Sequence, residues 1–130
     1  MVRSPALTVD VVIKFRDGVV LVRRRNEPFK DKWALPGGFV EYGEKVELAA
    51  AREAMEETGI RVKLQGLLGV YSEPSRDPRG HTVSICFLAK RAGGKLRAAS
   101  DAKDAKIFRK IPWQELAFDH AQILKDAGFK

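Results

Sequence analysis

A second cysteine is missing, so no disulfide can close within the chain. Cys86 stands alone in the apolar run 83–88 and reads as a buried core thiol, in keeping with a reducing cytoplasm. Repeats, low-complexity tracts and long linkers are also absent. At 130 residues and 45% hydrophobic content, the expectation is one domain spanning 1–130 with enough apolar side chains for a compact core. No apolar run exceeds strand length and the first residues carry no extended hydrophobic segment, so neither a signal peptide nor a membrane span is expected. Acidic excess is lacking too: 24 Lys and Arg face 17 Asp and Glu, a formal charge of +7. Such a balance favours anionic partners. Because the basic residues are scattered, with Arg23, Arg24 and Arg25 the nearest approach to a cluster, a phosphorylated small molecule is preferred to nucleic acid. Surface solubility would account for the same charge equally well.

What is present is concentrated in the stretch 38–60, GFVEYGEKVELAAAREAMEETGI. Its second half is alanine-rich, free of proline and closed by Thr58-Gly59, which predicts a helix with Gly43 as its N-cap and Glu44 in its first turn. On such a helix Glu53, Glu56 and Glu57 stand at i, i+3 and i+4, converging on one face with Arg52 beside them. Leu48, Ala51 and Met55 would form the opposite, core-facing stripe. Like charges at i, i+4, placed toward a helix C-terminus, each cost roughly 0.3–1 kcal/mol through the macrodipole. Arg52 cannot offset three carboxylates by itself. Either the face is simply solvated, or a hard divalent cation sits among the oxygens.

The spacing decides between these. Gly38, five residues, Glu44, seven residues, then Arg52-Glu53-Ala54-Met55-Glu56-Glu57-Thr58-Gly59-Ile60 resembles the signature of the Nudix hydrolases at every fixed position. The resemblance implies hydrolysis of a nucleoside diphosphate linked to another group, with Mg²⁺ or Mn²⁺ as cofactor. It implies that Glu53, Glu56 and Glu57 bind metal, that the Gly38 carbonyl adds a ligand, and that Arg52 and Glu44 orient the carboxylates. It also implies an α+β fold, an α/β/α sandwich with a mixed sheet, and homodimers as a frequent assembly.

Around this box the chain reads as strands. A strand over 7–15, a hairpin turn at Asp17-Gly18 and a second strand over 19–25 come first. A polar loop, 26–32, leads to Trp33, which either packs in the core or offers a face to a base, and to the glycines before the box. Arg23 to Arg25 are candidates for phosphate contact or for a solvated strand end, and Glu41 for a further metal oxygen or a solvated acid. Beyond the box, 60–65 alternates apolar and polar, a further strand is expected over 67–72, and another over 82–90. Between them, GVYSEPSRDPRGHTVS is similar to the matching segment of ADP-ribose pyrophosphatase-type members. Arg79 and His81 are the chosen substrate contacts there, with Arg76 behind them, while His81 could equally be a strand-start residue and Asp77 a turn cap.

Ala92-Gly93-Gly94 reads as a turn, 98–103 as a polar segment and 105–108 as a strand. The resemblance points to an acid outside the box in this region, and Asp104 fits by position, with Asp101 nearby. Pro112 would start a helix burying Trp113, Leu116 and Phe118. A last helix over 118–124, capped by Asp119, would be stopped by Gly128.

Together these features predict metal-dependent attack of water on a diphosphate, with ADP-ribose, giving AMP and ribose 5-phosphate, as the preferred substrate. An oxidised nucleoside triphosphate such as 8-oxo-dGTP, or another sugar nucleotide, is the rival enzymatic reading. A nucleotide sensor or an RNA-binding module is the rival from another class.

Overall fold

The structure, a computed structural model, describes residues 3–97 and 102–130. Asp101 and most of the polar segment 98–103 lie outside the described residues. Among the described residues seven strands form one sheet: β1 (Ala6–Phe15), β2 (Gly18–Arg24), β3 (Trp33–Ala34), β4 (Gly37–Phe39), β5 (Ile60–Tyr71), β6 (Thr82–Gly94) and β7 (Ala102–Phe108). The helices are α1 (Val46–Thr58) and α2 (His120–Asp126). Strand order is β3-β2-β1-β6-β5, with β4 paired to β1 and β7 to β2. β1 and β6 run parallel and their neighbours antiparallel, so the sheet is mixed as expected.

β1 is the axis. Val9, Val11 and Ile13 face α1 and pack with Ala49, Ala50 and Ala54. Val12 points the other way and packs with Val19, Leu21 and Cys86 against Ile123 and Leu124 of α2. A strand covered on both faces needs apolar residues at successive positions, which is what 9–13 supplies except at Asp10. The result is the α/β/α sandwich, and the buried Cys86 thiol, its pKa raised by desolvation, belongs to its core.

Several local expectations are corrected. The hairpin turns on Arg16 and Asp17, both at positive φ, while Gly18 opens β2, where a Cβ would press on the Phe108 carbonyl at 2.6 Å. α1 starts at Val46 behind Lys45, because Gly43 (φ 84) and Glu44 belong to a preceding turn closed by Glu44 N–H on the Glu41 carbonyl. Its inward face is Ala49, Ala50, Ala54 and Thr58; Leu48 and Met55 are exposed at 61% and 40%, so the expected core stripe is on the wrong side. Small side chains let the helix lie close to β1, and the bulkier ones are left outside.

The segments expected over 60–65 and 67–72 form one bulged strand, β5. Gly93 and Gly94 do not turn the chain; they continue β6 opposite Arg61 and Ile60, where side chains would collide with the Arg61 guanidinium and the Gly59 carbonyl. The expected helix after Pro112 is a single 3-10 turn, Trp113–Glu115, and Leu116 bridges instead to Trp33. Trp33 packs with its neighbours, edge-on to Phe108 at 4.7 Å, in keeping with its core reading.

Candidate active site

A cavity of about 560 Å³ opens where β1, β4, α1 and the loops before β6 and α2 meet. Its lining has an acidic wall, with Gly38, Glu41, Glu53, Glu56 and Glu57, and a basic one, with Arg23, Arg24, Arg25 and Arg79 beside Phe118. Asp10, Arg76 and His120 also border it.

The acidic wall is built by α1 lying against β4. Glu57 Oε1 accepts the Gly37 N–H at 2.7 Å, which locks the C-terminal half of the helix to the glycine strand. A Cβ at Gly38 would stand 2.7 Å from the Glu53 carboxylate, so only glycine lets that side chain come beneath the strand. Arg52 is the hub of the remaining contacts. Its Nε and Nη2 grip Glu44 at 2.7 and 2.9 Å, Nη1 reaches Glu53 at 2.7 Å and Glu56 at 3.3 Å, and Nη2 also donates to the Phe39 carbonyl at 3.2 Å. The hydrogen-bonded Arg52 holds the Glu44 carboxyl down to about 2, and Glu44 in turn accepts the Glu41 N–H. With the carboxylates thus spread onto Arg52 and Gly37, no three acidic, histidine or cysteine groups among the described residues stand gathered around one point. The donor set is nevertheless hard oxygen throughout, and the glycine-made gap over Glu53 leaves carboxylate and main chain side by side, which suits a divalent cation of the Mg²⁺ class.

The basic wall divides the arginines. Arg79 is 46% exposed by side chain; Asp77 receives its Nε and Nη2, and its guanidinium lies 5.5 Å from the Phe39 ring and 5.8 Å from Phe118. Asp77 also accepts the Arg79 backbone N–H, the turn-capping role anticipated for it. Arg76 is 4% exposed and committed: it grips Asp119 with two bonds at 2.7 and 2.9 Å and donates to Thr82 at 2.8 Å. Asp119 therefore does not cap α2 with its side chain; it neutralises a buried arginine. Arg23, Arg24 and Arg25 each donate to a backbone carbonyl, of Asp31, Pro28 and Ala102 respectively.

Two candidates are not brought to the cavity. His81 is exposed and its Nε2 lies 3.0 Å from the Ser72 carbonyl, outside the lining. Asp104 sits on β7 bonded to the Ala105 N–H and 3.9 Å from Lys106, also outside it. What sequence reasoning missed is the buried floor. Asp10 Oδ2 accepts the Ser84 hydroxyl at 2.5 Å, Oδ1 lies 3.6 Å from His120 Nε2, and desolvation pushes the Asp10 carboxyl up to about 7. Desolvation likewise pushes His120 down to about 3, keeping the ring neutral. An aspartate inside the apolar run 9–13 was the available signal.

Comparison with known proteins agrees with this geometry. The NUDIX domain model matches residues 4–127. An ADP-ribose pyrophosphatase from Methanocaldococcus jannaschii is 52% identical over 122 residues, covering 94% of this chain and 72% of that protein. The NUDIX domain of Shewanella oneidensis NrtR, solved in complex with ADP ribose, superposes with a TM-score of 0.81 at 30% identity, covering 97% of this chain and 88% of that one. A bifunctional NMN adenylyltransferase/ADP ribose pyrophosphatase from Francisella tularensis, solved with AMP and a manganese ion, gives a TM-score of 0.85 at 31% identity over 95% of this chain and 41% of its own. With the box intact, its carboxylates facing the cavity and the domain match running almost end to end, the chain belongs to the Nudix family.

Proposed function

We propose that this chain is a Nudix pyrophosphohydrolase that cleaves ADP-ribose to AMP and ribose 5-phosphate, acting as one domain over 1–130. The observation that carries the reading is one cavity lined both by the box glutamates with Gly38 and by arginines with an aromatic ring. The similarity to the M. jannaschii ADP-ribose pyrophosphatase supports the choice of substrate.

Glu53, Glu56, Glu57 and the Gly38 carbonyl are the groups that would hold Mg²⁺, with Mn²⁺ as a substitute, and Glu41, which lines the same cavity, would be a further oxygen donor. Bound there, the cation supplies activation of water near neutral pH and neutralisation of the diphosphate oxygens. Water attacks one phosphorus, the bond from that phosphorus to the bridging oxygen breaks, and the departing phosphate keeps the electron pair. Glu53, held under Gly38 and against Arg52, receives the proton of the attacking water. Arg52 and Glu44 fix the carboxylates in place. Arg79, braced by Asp77 through Nε and Nη2, holds a non-bridging oxygen through its remaining nitrogen, and Arg23, also in the lining, assists. Arg76 stays with Asp119 and shapes the floor.

A homodimer is part of the proposal. Leu67 and Val70 stand 59% and 54% exposed on β5, an edge of the sheet, where a second copy would cover them. Among the described residues no helix is long and apolar enough to cross a membrane.

A substrate panel tests the reading: ADP-ribose, other sugar nucleotides, dinucleoside polyphosphates and oxidised triphosphates, each with Mg²⁺ or Mn²⁺. The highest kcat/KM is expected for ADP-ribose. A higher value for 8-oxo-dGTP would replace the substrate while keeping the chemistry.

A further inference from the structure

The segment that carries the Gly38 carbonyl is tied down residue by residue. Gly37 gives its N–H to Glu57 of α1, and the Pro36 carbonyl accepts the Val11 N–H of β1 at 2.9 Å. Leu35 is anchored differently. Just before it, the chain runs parallel to the approach to α2: Trp33 bridges Leu116, and the Ala117 N–H donates to the Trp33 carbonyl at 2.8 Å. One step further, the Ala117 carbonyl is already taken by the His120 N–H at 3.1 Å, as the backbone bends into α2. The Leu35 N–H, in a residue 2% exposed, would be left without an acceptor. It donates instead to His120 Nδ1 at 2.9 Å. The imidazole takes over the ladder where the main chain departs.

That role constrains the ring. Nδ1 can accept only if it carries no proton, so the proton is on Nε2, which faces Asp10 Oδ1 at 3.6 Å. Asp10 lies opposite Gly37 in the β1–β4 register, and its Oδ1 fills the space that a Gly37 side chain would need. The Leu35 N–H sets the His120 tautomer, and the Asp10 carboxyl that faces Nε2 is also the group packed against Gly37. The neutral state enforced by burial fits this arrangement.

We propose that His120 is a positioning residue for the hydrolytic site: by accepting the Leu35 N–H it ties the start of α2 to the Gly37–Gly38 segment. It thereby fixes the Gly38 carbonyl relative to the Glu57 carboxylate. The catalytic meaning of the tie rests on the hydrolase reading above; the tie itself does not.

An acceptor role and a mere filling role separate cleanly. Asparagine places an oxygen near the position of Nδ1, whereas leucine fills the volume and offers no acceptor. The experiment compares His120→Asn and His120→Leu with wild type in Mn²⁺ binding, followed by electron paramagnetic resonance without substrate, and in kcat and KM for ADP-ribose. Groups that orient metal ligands typically control affinity or activity by about 10–100-fold. His120→Leu is expected to weaken Mn²⁺ binding about tenfold and to lower kcat by at least about tenfold, with KM changed by less than about threefold; His120→Asn is expected to recover most of both. Equal impairment of the two variants, or wild-type Mn²⁺ affinity in His120→Leu, would overturn the proposal. Should His120→Leu fail to fold, metal-free wild type decides: nitrogen-15 NMR shows an unprotonated Nδ1 and a Leu35 amide protected like the core strands, or a fast-exchanging Leu35 amide refutes the anchor. Lack of cleavage of ADP-ribose and of every other nucleotide in the panel by wild type, with the Asn and Leu variants still differing in Mn²⁺ binding, would remove the hydrolase reading and leave the anchor standing.

Discussion

Gly38 and Glu53 occupy each other's space: a single methyl group on the glycine would stand 2.7 Å from the glutamate carboxylate. Gly38 is not at positive φ, so its requirement for glycine is one of room rather than backbone conformation. Gly38→Ala should leave the fold in place and push Glu53 off its position. Turnover is expected to fall by about 10²-fold, the loss associated with a misplacement of about 1 Å, with the circular dichroism spectrum unchanged.

The carboxylates themselves provide the second expectation. Glu56→Gln or Glu57→Gln should lower kcat by orders of magnitude with the fold intact, because each removes a charged oxygen donor from the cavity. Glu57→Gln keeps a side-chain oxygen for the Gly37 N–H, so its melting temperature should stay close to wild type. A variant with near wild-type turnover would remove that residue from the mechanism.

Arg76 and Arg79 look alike in sequence and should behave as opposites. Arg76→Ala leaves Asp119 without its bidentate partner and Asp10 without a nearby cation, and should cost about 3–5 kcal/mol in chemical denaturation. Arg79→Ala removes a half-exposed side chain from the cavity wall and should raise KM for ADP-ribose, with a smaller stability loss than Arg76→Ala because the buried Asp77 keeps the backbone N–H of residue 79.

Acid should loosen the hub around Arg52. The Glu44 carboxyl is held at about 2 in the folded protein against an ordinary 4.5, so the fold favours its deprotonated form. This contribution is complete above about pH 4.5 and is lost as pH falls toward 2. Thermal melts in chelator from pH 5 to 2 should show a steeper loss for wild type than for Glu44→Gln. Parallel curves would mean that the Arg52–Glu44 pair contributes nothing to the pH dependence.

Much of the site was legible because it is local. The i, i+3, i+4 placement of Glu53, Glu56 and Glu57 follows from helix geometry alone, and the glycines before them announce a close approach. The rotation of that helix was not legible: Leu48 and Met55 are its largest apolar residues, yet alanines face the sheet because the helix must lie close enough for Glu57 to reach Gly37. Nor could sequence show that Arg76 belongs to Asp119, or that His120 completes the Leu35 ladder. Those partners are far apart along the chain and meet only when β1, β6 and α2 close over one another. The sheet order was equally hidden, since β1 pairs in parallel with β6, which is far from it along the chain, and β7 returns to pair with β2.

The most direct test incubates the wild-type protein with ADP-ribose and Mg²⁺ in oxygen-18 water, with a chelated control, and identifies products by mass spectrometry. AMP and ribose 5-phosphate in equal amounts, one of them carrying a single heavy oxygen on its phosphate, and no turnover with chelator are the predicted results. Intact ADP-ribose in the presence of Mg²⁺ and of Mn²⁺, from protein shown to be folded, would contradict the account.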